Sequence, residues 1–330
     1  MASTPSLARS LIVNVVSPDP DDRWQGVERF CHSLVGALND LQHDAMVVSV
    51  DDAGIRNADV VITNAQVVVR TRQPRVHVYH GVALPQMLRS HAESSLRWRV
   101  KAAVAQSAAQ FRAGVGAHRV SVSRSTAREL RRVYGFGSTV LANGIDTTAF
   151  QPRSETGDRG SGAADRTALF IGRPEWRKRP DIAVHAARAL GYRILLAAGR
   201  PFDGMEWLGR LSESDLAAAI ASADVVLMPT QYEACSLAFL EALAVGTPTV
   251  TTTAGWVPDL VAAVPDYALL VAKVGSAESF ERALGRALDP PASEAMRHAN
   301  AFVRQECSLE SFGQRWSDFL QRVVRSDGDA

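Results

Sequence analysis

The chain has 330 residues, 46% hydrophobic and 22% charged. These are globular values, and the length suffices for two domains of ordinary size. No apolar run approaches the ~18 residues of a membrane-spanning helix, and the run 11–16, followed at once by SPDPDD, is too short for a signal peptide. A cytoplasmic protein is expected. Cys31, Cys235 and Cys307 are the only cysteines; odd in number and far apart, they suggest neither a disulfide framework nor a metal knuckle.

The net charge of +1 conceals an asymmetry. Residues 1–59 carry four basic and nine acidic residues, residues 60–145 carry thirteen basic residues against Glu93 and Glu129, and residues 146–330 carry 19 basic and 24 acidic. Only Lys101, Lys178 and Lys273 are lysines, so an Arg-rich composition accounts for part of the basic middle third. The other reading is an anionic partner: a charged acceptor, or the inner face of a membrane touched peripherally. Nucleic acid is not among the expected partners.

In chain order, the apolar run 11–16 is a first strand. A helix starts near Val27 and carries Phe30, Leu34, Leu38 and Leu41. The G-x-G-x-x-G of a dinucleotide-binding turn is absent between them, which argues against a nicotinamide dehydrogenase. Gln25-Gly26-Val27-Glu28 stands there instead, and Gly26 permits close backbone approach. Strands are expected at 45–50, 59–63 and 75–79, the last ending in His80-Gly81. A His at the carboxyl end of a parallel strand faces a cleft. Residues 84–113 read as one or two helices, on which Arg89, Glu93, Arg97 and Lys101 form an i+4 ladder on a solvated face. A strand at 119–123 and a helix at 123–134 lead to VLANGID at 140–146. The polar, Gly-rich stretch 153–166 reads as a linker.

A second α/β unit starts with a strand at 168–171, followed by Gly172-Arg173 and the basic turn Arg177-Lys178-Arg179. A helix at 182–190, a strand at 193–198 and a helix at 214–221 lead to the strand 225–228. Glu233 follows, then a helix beginning near Ser236, which Gly246 and Pro248 end, and a β-branched strand at 249–253. Glu233 and Glu241 are eight positions apart, about 12 Å along a helix. Between them lie the first-turn amides near Cys235, Ser236 and Leu237, which with the helix dipole favour an anion. An anion flanked by two carboxylates that accept hydroxyl protons describes a nucleotide sugar. Helices at 276–288, 293–305 and 309–324 close the chain, the last with Phe312, Trp316, Phe319, Leu320 and Val323 on one face.

Glu233 and Glu241 resemble the E-x7-E signature of family 4 retaining glycosyltransferases, which have the GT-B fold: two Rossmann-like domains facing across a cleft. Gln25-Gly26-Val27-Glu28 is similar to that family's Gly-Gly-x-Glu loop with one Gly lost, His80-Gly81 to its His at the donor sugar, Asn143-Gly144-Ile145-Asp146 to its domain-closing passage, and Gly172-Arg173 with Lys178 to its Gly-Arg…Lys motif. The resemblance implies an acceptor-side domain at 1–152, a linker at 153–166, a donor domain at 167–308 and a terminal helix at 309–330 packing back on the first domain. It implies that Glu233 contacts the donor sugar, Glu241 the ribose, and Arg173 with Lys178 the leaving diphosphate, while Gly26, Gly172, Cys235, Ser236 and Leu237 border the donor and His80 lies near its sugar. Two departures stand out. Cys235-Ser236 replaces the usual Phe-Gly, and Arg179 replaces a Gly, which leaves the phosphate role open among Arg177, Lys178 and Arg179.

The implied reaction moves a sugar from a nucleotide-diphosphate donor, UDP or GDP being favoured, to a hydroxyl of a small molecule, natural product or envelope glycan, without metal or further cofactor. A GT-B epimerase or hydrolase, or a non-catalytic nucleotide-sugar-binding partner, would carry the same motifs.

Overall fold

The computed structural model describes residues 9–21, 26–52, 57–90, 95–153 and 166–328. Gln25, Glu93 and linker residues 154–165 lie outside these. The first half contains β1 (Ile12–Val16), α1 (Gly26–Asp40), β2 (Asp44–Val48), β3 (Val60–Asn64), β4 (Arg75–Tyr79), α2 (Ala83–Ser90), α3 (Leu96–Gly114), β5 (His118–Ser121), α4 (Arg124–Tyr134) and β6 (Thr139–Val140). Its sheet is parallel throughout, in the order β2-β1-β3-β4-β5-β6. The second half contains β7 (Thr167–Ile171), α5 (Pro180–Ala189), β8 (Arg193–Ala197), β9 (Glu206–Gly209), α6 (Glu213–Ser222), β10 (Val225–Met228), α7 (Leu237–Val245), β11 (Thr249–Thr252), α8 (Val257–Ala263), β12 (Val271–Ala272), α9 (Ala277–Gly285), α10 (Pro290–Glu306) and α11 (Leu309–Gly328). This sheet is also parallel, in the order β12-β11-β10-β7-β8-β9.

These orders follow from the composition of the strands. β3 (VVITN) and β10 (VVLM) are buried at every position, as central parallel strands covered by helices on both faces must be. Each sheet reverses its winding once, between β1 and β3 and between β7 and β10. The crevice outside the carboxyl ends of strands at such a point is where open α/β sheets bind ligands. The elements that were expected differ from those observed mainly at their ends. The stretch 84–113 forms two helices, and the short edge strands β9 and β12 and the seven-residue helix α8 were not expected, since segments this short give too little periodic signal.

A backbone bridge and a helix crossing are among the contacts that hold the halves together. Ile145 N–H donates to the Cys307 carbonyl at 2.8 Å, and Leu309 N–H donates to the Ile145 carbonyl at 3.1 Å. From there α11 runs back over α1, and Phe30 meets Phe312 and Trp316 edge-on at centroid distances of 5.8 and 5.9 Å. Phe312, Trp316 and Leu320 are fully buried, each stabilising the fold by about 1.5–3 kcal/mol.

Candidate active site

A cavity of about 840 Å³ opens between the halves, at the carboxyl ends of both sheets. All ten residues singled out from the sequence line it: Gly26, His80, Gly172, Arg173, Lys178, Glu233, Cys235, Ser236, Leu237 and Glu241.

The cationic wall begins where β7 ends. Gly172 has φ +101°, and a Cβ there would stand 3.2 Å from Lys178 Nζ. The bare backbone is what lets the ammonium lie across the strand end. A 3-10 turn at Trp176–Lys178 then separates the three basic residues. Lys178 is only 8% exposed, with Nζ 3.6 Å from Glu233 Oε2. Arg177 Nη1 lies 3.0 Å from the same oxygen, and its Nε reaches Glu175 Oε2 at 3.2 Å. Arg179 turns away: it pairs with Asp181 at 2.6 Å and stacks 4.7 Å from the centroid of Trp176. Its φ of +48° explains the Gly usual at this place, since the backbone is left-handed and the Asp181 and Trp176 contacts hold a bulkier residue in it. Arg173 sits on the rim, its side chain 63% exposed and 3.1 Å from Glu175.

Burial raises the Glu233 carboxyl, but Arg177 and Lys178 outweigh it, so the group lies below its ordinary value. Burial pulls the Lys178 ammonium down against the opposing field of Glu233. The result is an ionised carboxylate clamped by two cations, both rigidly placed and close to a space an anion could occupy.

Next to the cations, on the same half, is the start of α7. Ser236 is its N-cap, its hydroxyl accepting from Phe239 N–H at 3.4 Å. The amides of the first turn have no acceptor within the helix. Gly255, at φ +62°, allows a close approach here: a Cβ would lie 2.6 Å from the Ala234 carbonyl and 2.8 Å from that of Glu233. The Cys235 thiol is buried and pushed well above its ordinary value by burial, which makes it inert, while its carbonyl accepts from Asn143 Nδ2 at 2.8 Å. Deeper, Glu241 is fully buried. Its Oε1 accepts from Arg29 Nη2 of α1, whereas Oε2 is buried with no hydrogen-bond partner among the described residues. Burial raises this carboxyl, with Arg29 opposing.

The first half contributes at longer range. His80 Nε2 lies 2.9 Å from Asn64 Oδ1, and its ring meets Phe30 edge-on at 4.6 Å. Burial lowers it to about 4, so it is neutral at physiological pH. Among the described residues, nothing lies within 4 Å of where a Gly26 Cβ would stand. Tyr232 reaches across from the second half, accepting from Val82 N–H at 2.9 Å and donating to Glu129 at 3.0 Å. Arg29, Asn143 and Tyr232 were not singled out from the sequence as site residues. Arg29 had one faint signal, its position beside Glu28 at the Gly26 loop.

Solved structures define the class. The chain is similar to the sucrose-phosphate synthase (tll1590) of Thermosynechococcus elongatus, with a TM-score of 0.78 and 16% identity over 96% of this chain and 100% of that one. It is also similar to Anabaena Alr3699/HepE in complex with UDP-glucose, with a TM-score of 0.70 and 14% identity over 94% and 100%. The fold is therefore GT-B. Residues 165–290, most of the second half, match the family model described as Glycosyl transferases group 1. Among curated relatives, the D-inositol 3-phosphate glycosyltransferases of Mycobacterium bovis and Mycobacterium tuberculosis are 33% identical over an alignment of 146 residues. That match covers 36% of this chain, and the chain spans 30% of the relatives' length. The chain is thus similar to group 1 glycosyltransferases in its second half and has their GT-B fold throughout the described residues.

Proposed function

We propose that this protein is a retaining glycosyltransferase that moves a sugar from a nucleotide-diphosphate sugar to an acceptor hydroxyl. One observation carries the reading: a half-buried carboxylate, Glu233, is held between Arg177 and Lys178 beside the open amides of α7, with a fully buried carboxylate, Glu241, deeper on that helix. A diphosphate fits between the carboxylates, its charge met by Lys178, Arg173 and the first-turn amides. Glu233 orients the sugar, and Glu241 Oε2 accepts from the ribose. As the sugar–phosphate bond breaks, the cationic wall stabilises charge growing on the leaving oxygen. The acceptor hydroxyl attacks from the same face and passes its proton to the departing phosphate. Because fixed cations already carry this charge, the proposal requires no metal. The binding of UDP-glucose by HepE supports UDP as the first donor nucleotide to try.

The test is incubation with UDP- and GDP-sugars and a panel of hydroxyl acceptors, following nucleotide release and the anomeric configuration of the product. Acceptor-dependent release with retained configuration is expected. Release without transfer would point to a hydrolase or epimerase, and donor binding without any turnover to a non-catalytic partner.

We also propose that α3 seats the protein on an anionic bilayer. Leu96, Val100, Val104, Phe111 and Val115 lie along one side of it at 42–65% exposure, with Arg97 and Lys101 beside them. Charge selects this occupant, since a second copy docked face to face would bring like charges together. Co-sedimentation with phosphatidylglycerol vesicles, but not phosphatidylcholine vesicles, is expected for the parent and not for Val104→Glu. Equal recovery with both lipids would contradict it. Among the described residues, no helix is long and apolar enough to cross a membrane.

A further inference from the structure

Glu241 is not an open carboxylate. Oε1 is taken by Arg29 Nη2 from the opposite half of the cleft, the Arg29 guanidinium lying also 3.9 Å from Glu213. Oε2 is the remaining acceptor, buried and unpartnered among the described residues, on a residue that lines the cavity. A carboxylate with both oxygens open accepts a vicinal diol through two parallel O–H···O bonds. With Oε1 already accepting from a guanidinium, whose bulk and field oppose a second donor there, one hydroxyl of the diol finds a strong charge-assisted acceptor at Oε2 and the other a weakened one at Oε1.

We infer that Arg29 is a specificity-determining residue: by holding Oε1, it makes Glu241 read a single ribose hydroxyl of the donor nucleotide, so the site is strict at one of the 2′ and 3′ positions and tolerant at the other. This rests on the nucleotide-sugar reading above. It widens the donor class, because a nucleoside diphosphate lacking the unread hydroxyl is accepted almost as well as its ribose parent. Strictness at the read position comes from the buried Oε2, which is left without a donor when that hydroxyl is missing. Tolerance at the other follows because its hydroxyl has only the weakened acceptor to lose.

The experiment is calorimetric titration of the full chain with UDP and GDP and with the 2′-deoxy and 3′-deoxy analogue of each. For the nucleotide that binds, one analogue is expected to lose about tenfold or more in affinity and the other to stay within about threefold. Arg29→Met frees Oε1, and both analogues are then expected to lose about tenfold. Arg29→Lys, which keeps one donor on Oε1, retains the parent pattern. Loss with both analogues in the parent would overturn the inference while leaving the nucleotide reading intact, since Glu241 would then be using both oxygens. Loss with neither would overturn it too. If neither UDP nor GDP binds, the titration is repeated with ADP and dTDP, and failure of all four sinks the nucleotide reading and the inference with it. The parent titrations decide the matter even if a variant fails to fold.

Discussion

The two walls of the cleft solve the same problem differently. In the second half, short contiguous segments carry charges that are matched and largely withdrawn from solvent, Glu233 with Arg177 and Lys178, next to the Ser236 cap on the start of α7. In the first half, the contributions are scattered: a neutral His80 on Asn64, and an arginine on α1 reaching across to Glu241. Buried charge tolerates little displacement, because an orphaned partner costs several kcal/mol, so the second wall is specified locally. The first wall is assembled by tertiary packing and can vary without unfolding the domain.

The largest effect that would sharpen this contrast is expected in the cationic turn. Lys178→Ala should lower kcat about 100- to 1,000-fold with the far-ultraviolet dichroism unchanged. The rim residue should matter less, so Arg173→Ala should cost about tenfold. Equal losses for the two would erase the distinction between buried and exposed cations drawn here.

Next is the close approach behind the first carboxylate. Gly255→Ala sets a Cβ against the carbonyls of Glu233 and Ala234 at a left-handed position, and should destabilise the protein by about 2–3 kcal/mol while weakening donor affinity. Gly26→Ala, with open space around it, should change stability by less than about 0.5 kcal/mol. Urea unfolding measures both.

The pH dependence follows from the sign of each shift. Glu233 lies below its ordinary value of 4.5, so its stabilisation is complete above 4.5 and is lost as the pH falls through the lower folded value. Thermal unfolding between about pH 6 and about pH 3 should therefore drop more steeply for the parent than for Glu233→Gln. The smallest effect belongs to the other wall. His80, lowered to about 4 by burial, should contribute no titration of activity near 6.5, and kcat profiles of the parent and His80→Asn should share their shape between about pH 6 and about pH 8.

The same contrast explains what the sequence made legible. Most strands and helices of both sheets were readable because β-branched runs and helical periodicity are local signals, and β9, α8 and β12 were missed because they are too short to show either. Glu233, Ser236 and Glu241 were readable because their spacing along one strand-loop-helix unit sets their geometry, and Gly172 because it ends the apolar strand β7. The choice among Arg177, Lys178 and Arg179 was not, since it depends on a 3-10 turn and on the left-handed φ at Arg179. Arg29 and Tyr232 were beyond reach, because their partners lie 212 and 103 positions away and no spacing rule links such pairs.

The account stands or falls on nucleotide binding between the two carboxylates, and a thermal-shift screen of UDP, GDP, ADP and dTDP against the parent and Glu241→Ala tests this most directly. At about 100 times its dissociation constant, a ligand adds about 2.7 kcal/mol of stability, a rise of a few degrees. One nucleotide that stabilises the parent and not the variant is the predicted result. No shift with any of the four, or the same shift in both proteins, would contradict the account.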